Sequence, residues 1–369
     1  MNASSLQLAA GLPPWIKRQA IALLQQRGHA WLLQGPSGLG QRALGLALVQ
    51  AWLCEQPQAD GLACGKCPGC HGVGSHTHAD LHVLMPEVHM LEQGWPIDER
   101  LQKEIDDKKR KPSREIRIEA MRAAIEFAQR TSSRNCGKAV LVYPAERMNA
   151  ITANALLKTL EEPAGDTRFV LVSEAANLLL PTVRSRCMSH TLHWPPHQEA
   201  LSWLQAQGMD QTDATVLLAA AGGRPQDALD LMAQGIQAKQ WQELPCAALS
   251  EDVAAFNRLT PAQAIVVLQK ICHDLLSVKA GGKPRFFSRD DLPKTDAIQD
   301  WPALTQWAQE LAQNARTSEP LTWRDCFLKI CCPKLAKSDA YLLSGHKYMN
   351  KCAAVHVCEK AHGFLWLFI

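Results

Sequence analysis

The stretch Trp31 to Leu44, WLLQGPSGLGQRAL, constrains the fold more than any other part of the chain. An apolar run from His29 to Gln34 leads into Gly35, four residues intervene before Gly40, and a helix with apolar spacing is expected from Ala43 to Leu53. A strand that turns through two glycines into a helix has the outline of a phosphate-binding loop, G-x-x-x-x-G-K-[ST], in which the Lys reaches the β/γ-phosphates and the hydroxyl holds Mg²⁺. Those two positions are Gln41 and Arg42. A neutral amide cannot supply the lysine's charge, and a guanidinium repels the ion that the hydroxyl would ligate. The stretch reads as a nucleotide-binding fold that has lost its nucleotide. The plainer alternative is an ordinary Gly-rich turn between a strand and a helix.

Size and charge narrow the rest. A chain of 369 residues, 47% apolar and 20% charged, can form two or three globular domains and is not a disordered sequence. A net charge of +3 excludes a surface that is basic throughout, so any nucleic-acid contact must be a local patch. No apolar run approaches the ~20 residues of a membrane helix, and MNASSLQLAAGLPPW lacks a basic segment ahead of an apolar core. A cytoplasmic protein is expected.

Thirteen Cys are many for such a compartment, and four lie between Cys54 and Cys70. Cys54 is followed by nine residues and then Cys64-Gly-Lys-Cys67-Pro-Gly-Cys70, two C-x-x-C steps sharing Cys67. Gly-rich turns of this kind point sulfurs inward, which suits a closed, structural tetrahedral Zn²⁺ site. An iron–sulfur cluster, a redox pair on Cys64 and Cys67, or free buried thiols are the competing readings. His71, His76 and His78 could each replace one Cys, although neutral surface histidines account for them as well.

Along the chain, Trp15 to Arg27 has a helical apolar face, Asp80 to Met85 reads as a short strand, and Pro86 to Pro112, with its charged block from Asp106 to Lys111, reads as a solvated loop. Met121, Ala124, Ile125 and Ala128 mark a helix. Ala139 to Tyr143 is a continuous apolar run, as in a parallel strand covered on both faces. A nucleotide hydrolase would end that strand in acidic residues; here Pro144 and Ala145 stand at its exit, and Glu146 comes later. Ala150 to Glu162 is a further helix, and Arg168 to Ser173 a further strand.

The run Asn154-Ala-Leu-Leu-Lys-Thr-Leu-Glu-Glu-Pro163, with Ser185-Arg186-Cys187 after it, closely resembles bacterial clamp-loader subunits of the AAA+ superfamily. The four-Cys insertion after the loop helix is similarly placed in the γ/τ and δ′ types of DNA polymerase III, and the lost loop Lys and acidic pair make the chain look like the non-hydrolysing δ′ type. The resemblance covers about residues 15 to 235. It implies an AAA+ parallel-sheet domain with a zinc module (1–190), a helical lid (191–240) and an all-α collar (241–322). It also implies that Arg186, between Ser185 and Cys187, is an arginine finger offered to ATP in a neighbouring γ/τ subunit, with Arg184 close enough to share the role. A planar, permanently charged fork can stabilise charge developing on a γ-phosphate across a subunit boundary; an ordinary surface arginine is the alternative. The family's second sensing arginine would fall at Gln226 in Gly222-Gly-Arg-Pro-Gln-Asp-Ala-Leu229, with Arg224 displaced before a proline. Partners implied are γ/τ and δ subunits and, indirectly, the sliding clamp and primed DNA; no ATP is expected in this chain's own site.

From about Trp323 the pattern fails, because residues 323–369 hold five Cys and no sustained helical period. A second metal site on Cys331, Cys332, Cys352 and Cys358 has no defensible spacing, and a divergent or frame-shifted terminus is the reading. Three rivals stand beside the clamp-loader reading. An active AAA+ ATPase would bind Mg·ATP. A zinc-ribbon nucleic-acid adaptor would need a basic, aromatic-bearing surface near Cys64 to Cys70, where only Lys66 is charged and no aromatic occurs. A thiol redox enzyme would need an exposed, low-pKa thiolate.

Overall fold

The computed structural model describes residues 11–249, 253–293 and 301–316. The chain separates into two units, one drawn from 1–208 with 223–227 and the other from 209–222 with 228–369. In chain order the first holds α1 (Pro14–Leu24), β1 (Ala30–Gln34), α2 (Gln41–Trp52), α3 (Pro68–Gly74), β2 (Leu81–Leu84), α4 (Glu87–Gln93), α5 (Glu99–Asp106) and α6 (Ile118–Gln129). There follow β3 (Lys138–Val142), α7 (Ala150–Glu161), β4 (Thr167–Ser173), α8 (Pro181–Arg184), β5 (Met188–Thr191) and α9 (His197–Ala206).

The five strands form one parallel sheet in the order β2-β3-β4-β1-β5. The apolar runs that foretold β1, β3 and β4 are buried nearly throughout because the sheet is covered on both faces. Alternation sorts their side chains into two cores. Trp31, Leu33, Leu141, Val170 and Val172 pack with Leu44 and Leu48 of α2. Leu32, Val140, Val142, Phe169 and Leu171 pack with Met121 and Ala124 of α6 and Leu156 and Leu160 of α7. The expected α/β architecture, a parallel sheet covered by helices on both faces, is thus present, and the C-terminal edges of β1, β3 and β4 carry the loops that hold the candidate site.

Residues 86–112 are not simply a solvated loop. They contain α4 and α5, and Arg110 of the charged block reaches the buried carboxylate of Glu87 at 2.6 Å. Asp98 starts α5 by accepting from the Arg100 and Leu101 amides. Strand β5 is a second addition to the sequence reading: its mostly exposed residues Met188 to Thr191 pair with β1 from Trp31 to Gln34.

The second unit is helical among its described residues, with α10 (Gln211–Ala220), the part of α11 (Pro225–Ala233) beyond residue 227, α12 (Ala238–Leu249), α13 (Pro261–Lys279) and α14 (Trp301–Arg316). Thr260 and Gln263 form a reciprocal cap on α13, with Pro261 in its first turn. Residues 281–293 form the expected loop, anchored where the buried Asp274 carboxylate accepts from the amides of Arg285, Phe286 and Phe287. The unusual tail 323–369 lies outside the described residues.

Candidate functional site

The glycine loop joins β1 to α2, and its shape depends on residues that tolerate left-handed backbone. Gly38 has φ +79° and Gly40 has φ +97°, a region that costs other residues strain. Gly40 caps α2, which begins at Gln41, two residues earlier than apolar spacing indicates. That early start turns the Gln41 side chain back into the loop, where it is buried and its amide donates to the Gly35 carbonyl at 2.7 Å and to the Pro36 carbonyl. The group standing where a loop lysine would project is therefore spent on the loop's own backbone. Arg42 follows beside Tyr143, and burial lowers its pKa from the usual guanidinium value.

Further charged groups close around the loop. Arg224 donates to the Ser37 hydroxyl at 3.1 Å and pairs with Asp227 at 2.9 Å. A Cβ added at Gly38 would sit 2.2 Å from the Asp227 carboxylate, so that carboxylate packs directly on the loop. At the exits of β3 and β4, Tyr143 donates to Glu174 at 3.1 Å, and Glu146 accepts from the Glu174 amide at 3.1 Å. Burial pushes the Tyr143 phenol up, with Glu174 adding to the effect. Glu174 keeps exposed surface yet is ringed by protein; this desolvation, reinforced by Glu146, raises its carboxyl.

The Ser185-Arg186-Cys187 turn follows α8. Cys187 packs against the core beside α7, and burial pushes its thiol up to about 12, so it anchors the turn as a neutral apolar group. Ser185 donates to the Thr182 carbonyl at 3.1 Å. Between them Arg186 stays half-exposed, with Nε donating to Glu161 Oε1 at 2.6 Å and Nη1 to the Thr182 carbonyl at 2.8 Å. The two sequence patterns thus meet in space, since Glu161 belongs to the helix run and Arg186 to the later motif. Arg184 is exposed on the same turn.

Cys54, Cys64, Cys67 and Cys70 converge so that all four sulfurs lie within 4.8 Å of one another. Cys54 and Cys67 are 3.8 Å apart and Cys64 and Cys70 3.9 Å. Sulfurs bound at about 2.3 Å around a tetrahedral zinc would stand about 3.8 Å apart, so the set fits the ion. Backbone amides of Cys64, Lys66, Cys67 and Cys70 donate to the sulfurs at 3.3–3.4 Å. These amides pull the Cys64 thiol down; at Cys67 burial pushes upward but the amides prevail, leaving it at about 6. Burial pushes Cys54 and Cys70 up. Four crowded sulfurs of this kind can ionise together only around a cation.

A family model described as "DNA polymerase III, delta subunit" matches residues 17–195. The Pseudomonas aeruginosa protein DNA polymerase III subunit delta′ is 37% identical over 219 residues, 59% of this chain and 60% of that protein. The Escherichia coli protein of the same name is 34% identical over 248 residues, 65% and 66% of the two chains. In these two alignments the chain spans about three fifths to two thirds of the relatives' length. With the Yersinia pestis delta′ protein the match extends over 327 residues at 30% identity, covering 81% of this chain and 87% of that one. The chain belongs to the DNA polymerase III delta′ family. Among solved structures, a Thermotoga maritima protein related to the polymerase III gamma subunit aligns over 86% of this chain and 97% of its own at 16% identity, with a TM-score of 0.44.

Several residues of this delta′ family member differ in setting from what its sequence suggests. His78 is buried, not a surface histidine, and its Nδ1 accepts from the Asp80 amide at 3.0 Å. His76 stacks on Trp95 at 3.7 Å between centroids. Neither these two nor His71 joins the sulfur cluster. Arg224, expected from the sequence to be displaced before a proline, reaches the loop at Ser37. Tyr143, Glu174 and Asp227 had no signal in the sequence as loop neighbours, because each arrives from a different strand exit or a distant helix start.

Proposed function

We propose that this delta′ family member is the non-hydrolysing stator of a bacterial clamp loader, lending Arg186 to ATP held by an adjacent γ/τ-type subunit while the complex opens a sliding clamp on primed DNA. The observation that carries the reading is the Arg186 turn. A permanently charged fork is presented at the surface from a turn whose neighbours are anchored, the arrangement needed to meet a triphosphate on another chain. The loop supports the same division of labour, since Gln41 spends its amide on Gly35 and Pro36 and no lysine replaces it. Under this reading residues 1–190 form the AAA+ domain, 191–240 the lid and 241–322 the collar, with δ as a further partner and the cytoplasm as the compartment. Among the described residues, no helix is long and apolar enough to cross a membrane.

The metal assigned to the cysteine set is zinc, held by Cys54, Cys64, Cys67 and Cys70. Four protein sulfurs leave no open position for water, so the ion would cross-link the end of α2 to the turn before α3 and take no part in hydrolysis.

Arg186→Ala in the reconstituted complex tests the stator role. DNA-stimulated ATP hydrolysis should fall by about 10³-fold or more at unchanged assembly; an unchanged rate removes the finger assignment. The rival reading, an ATPase with unorthodox loop chemistry, draws on Arg224 at Ser37 and on Glu146 and Glu174 nearby, and it predicts that the isolated chain binds Mg·ATP.

A further inference from the structure

Arg186 is restrained on two sides. Its Nε donates to Glu161 Oε1 at 2.6 Å with Nη2 in ion-pair contact with the same oxygen, and its Nη1 donates to the Thr182 carbonyl at 2.8 Å. A guanidinium carries five N–H donors; at most three are engaged here, so at least two remain for a ligand. Glu161 closes α7 and Thr182 lies in α8, so the restraint comes from two helices that pack on the same core: Leu156 and Leu160 hold the first, and Val183 the second. Among the described residues Glu161 has no other hydrogen-bonding or ionic partner. An exposed pair of this kind adds little to stability, and its consequence is orientation.

We infer that Glu161, together with the Thr182 carbonyl, is the positioning group for Arg186, fixing the fork before the neighbouring subunit's γ-phosphate arrives. This rests on the stator reading above. A long side chain left unrestrained would have to lose its rotamer freedom at the moment of reaction, whereas one already bridged between two helices meets the phosphate with its remaining donors in place. The carboxylate holds one edge of the guanidinium and the triphosphate takes the other donors. Glu161 touches neither nucleotide nor reacting atom, and acts only through Arg186.

The test uses the reconstituted complex, with kcat and KM for ATP measured for Glu161→Gln, Glu161→Asp, Glu162→Gln, Arg186→Ala and the Glu161→Gln/Arg186→Ala double variant. Glu161→Gln should lower kcat by about 10-fold with KM unchanged, as a misplaced catalytic group does. Glu161→Asp should recover part of that loss, and Glu162→Gln, the same charge change one residue on, should behave as wild type. The double variant should be no slower than Arg186→Ala alone. Unchanged thermal melting of the free Glu161→Gln chain verifies that its fold is kept. A wild-type or raised kcat for Glu161→Gln, or a loss that adds to that of Arg186→Ala, overturns the positioning role while leaving the finger in place. If Arg186→Ala itself has no effect, the stator reading fails and the positioning role goes with it.

Discussion

Asp80 illustrates how one residue can hold a fold together while looking unremarkable in the sequence. It precedes β2, is fully buried, and accepts from the Ser132 hydroxyl and the Ser133 and Arg134 amides, with Lys138 at 3.8 Å. Burial alone would raise its carboxyl; those donors and the ammonium outweigh it and hold the group below the ordinary carboxylate range. Because the folded value is depressed, the stability it provides is complete above the unfolded value of about 3.9 and is lost as pH falls through the folded one. Asp80→Asn strands Lys138 beside a neutral amide and should cost about 3 kcal/mol at pH 7. Chemical denaturation of the two proteins should show a constant difference from about pH 7 to 5 that narrows below about pH 4.

At the scale of elements, the cysteine module was legible because its evidence is local: three of the four sulfurs lie within seven residues, and the fourth follows closely on the helix before them. Cys67→Ser should lower zinc content well below one ion per chain by atomic emission. It should also cost about 3 kcal/mol or more, a fall in Tm of roughly 6–12 °C; a chain that retains full stability without metal would remove the structural role. Helix α5 shows the opposite case. It buries no residue, so its apolar spacing is nearly silent, and only Asp98 at its cap announces it. Strand β5 has no apolar run because its side chains are mostly exposed, and it is a strand solely because β1 offers an edge.

For the molecule as a whole, the parallel sheet divides its apolar residues between two cores, and strand exits from distant parts of the chain are thereby brought to one edge. Isothermal calorimetry of the free chain with Mg·ATP should give no binding at concentrations up to about 1 mM, where a working cradle would saturate. Saturable heat at one site per chain would restore the ATPase rival.

By itself the sequence determined the fold class, the loop without its lysine, the sulfur set and the motif around Arg186. Each of these is written in neighbouring residues, as a period, a spacing or a missing side-chain type. Only the tertiary structure decided that Gln41 turns back on the loop, that Asp227 and Arg224 pack against it, that His78 is buried, and that Glu161 holds Arg186. Those contacts join positions from five to nearly two hundred residues apart. Side-chain direction and packing set them, and no local pattern encodes either.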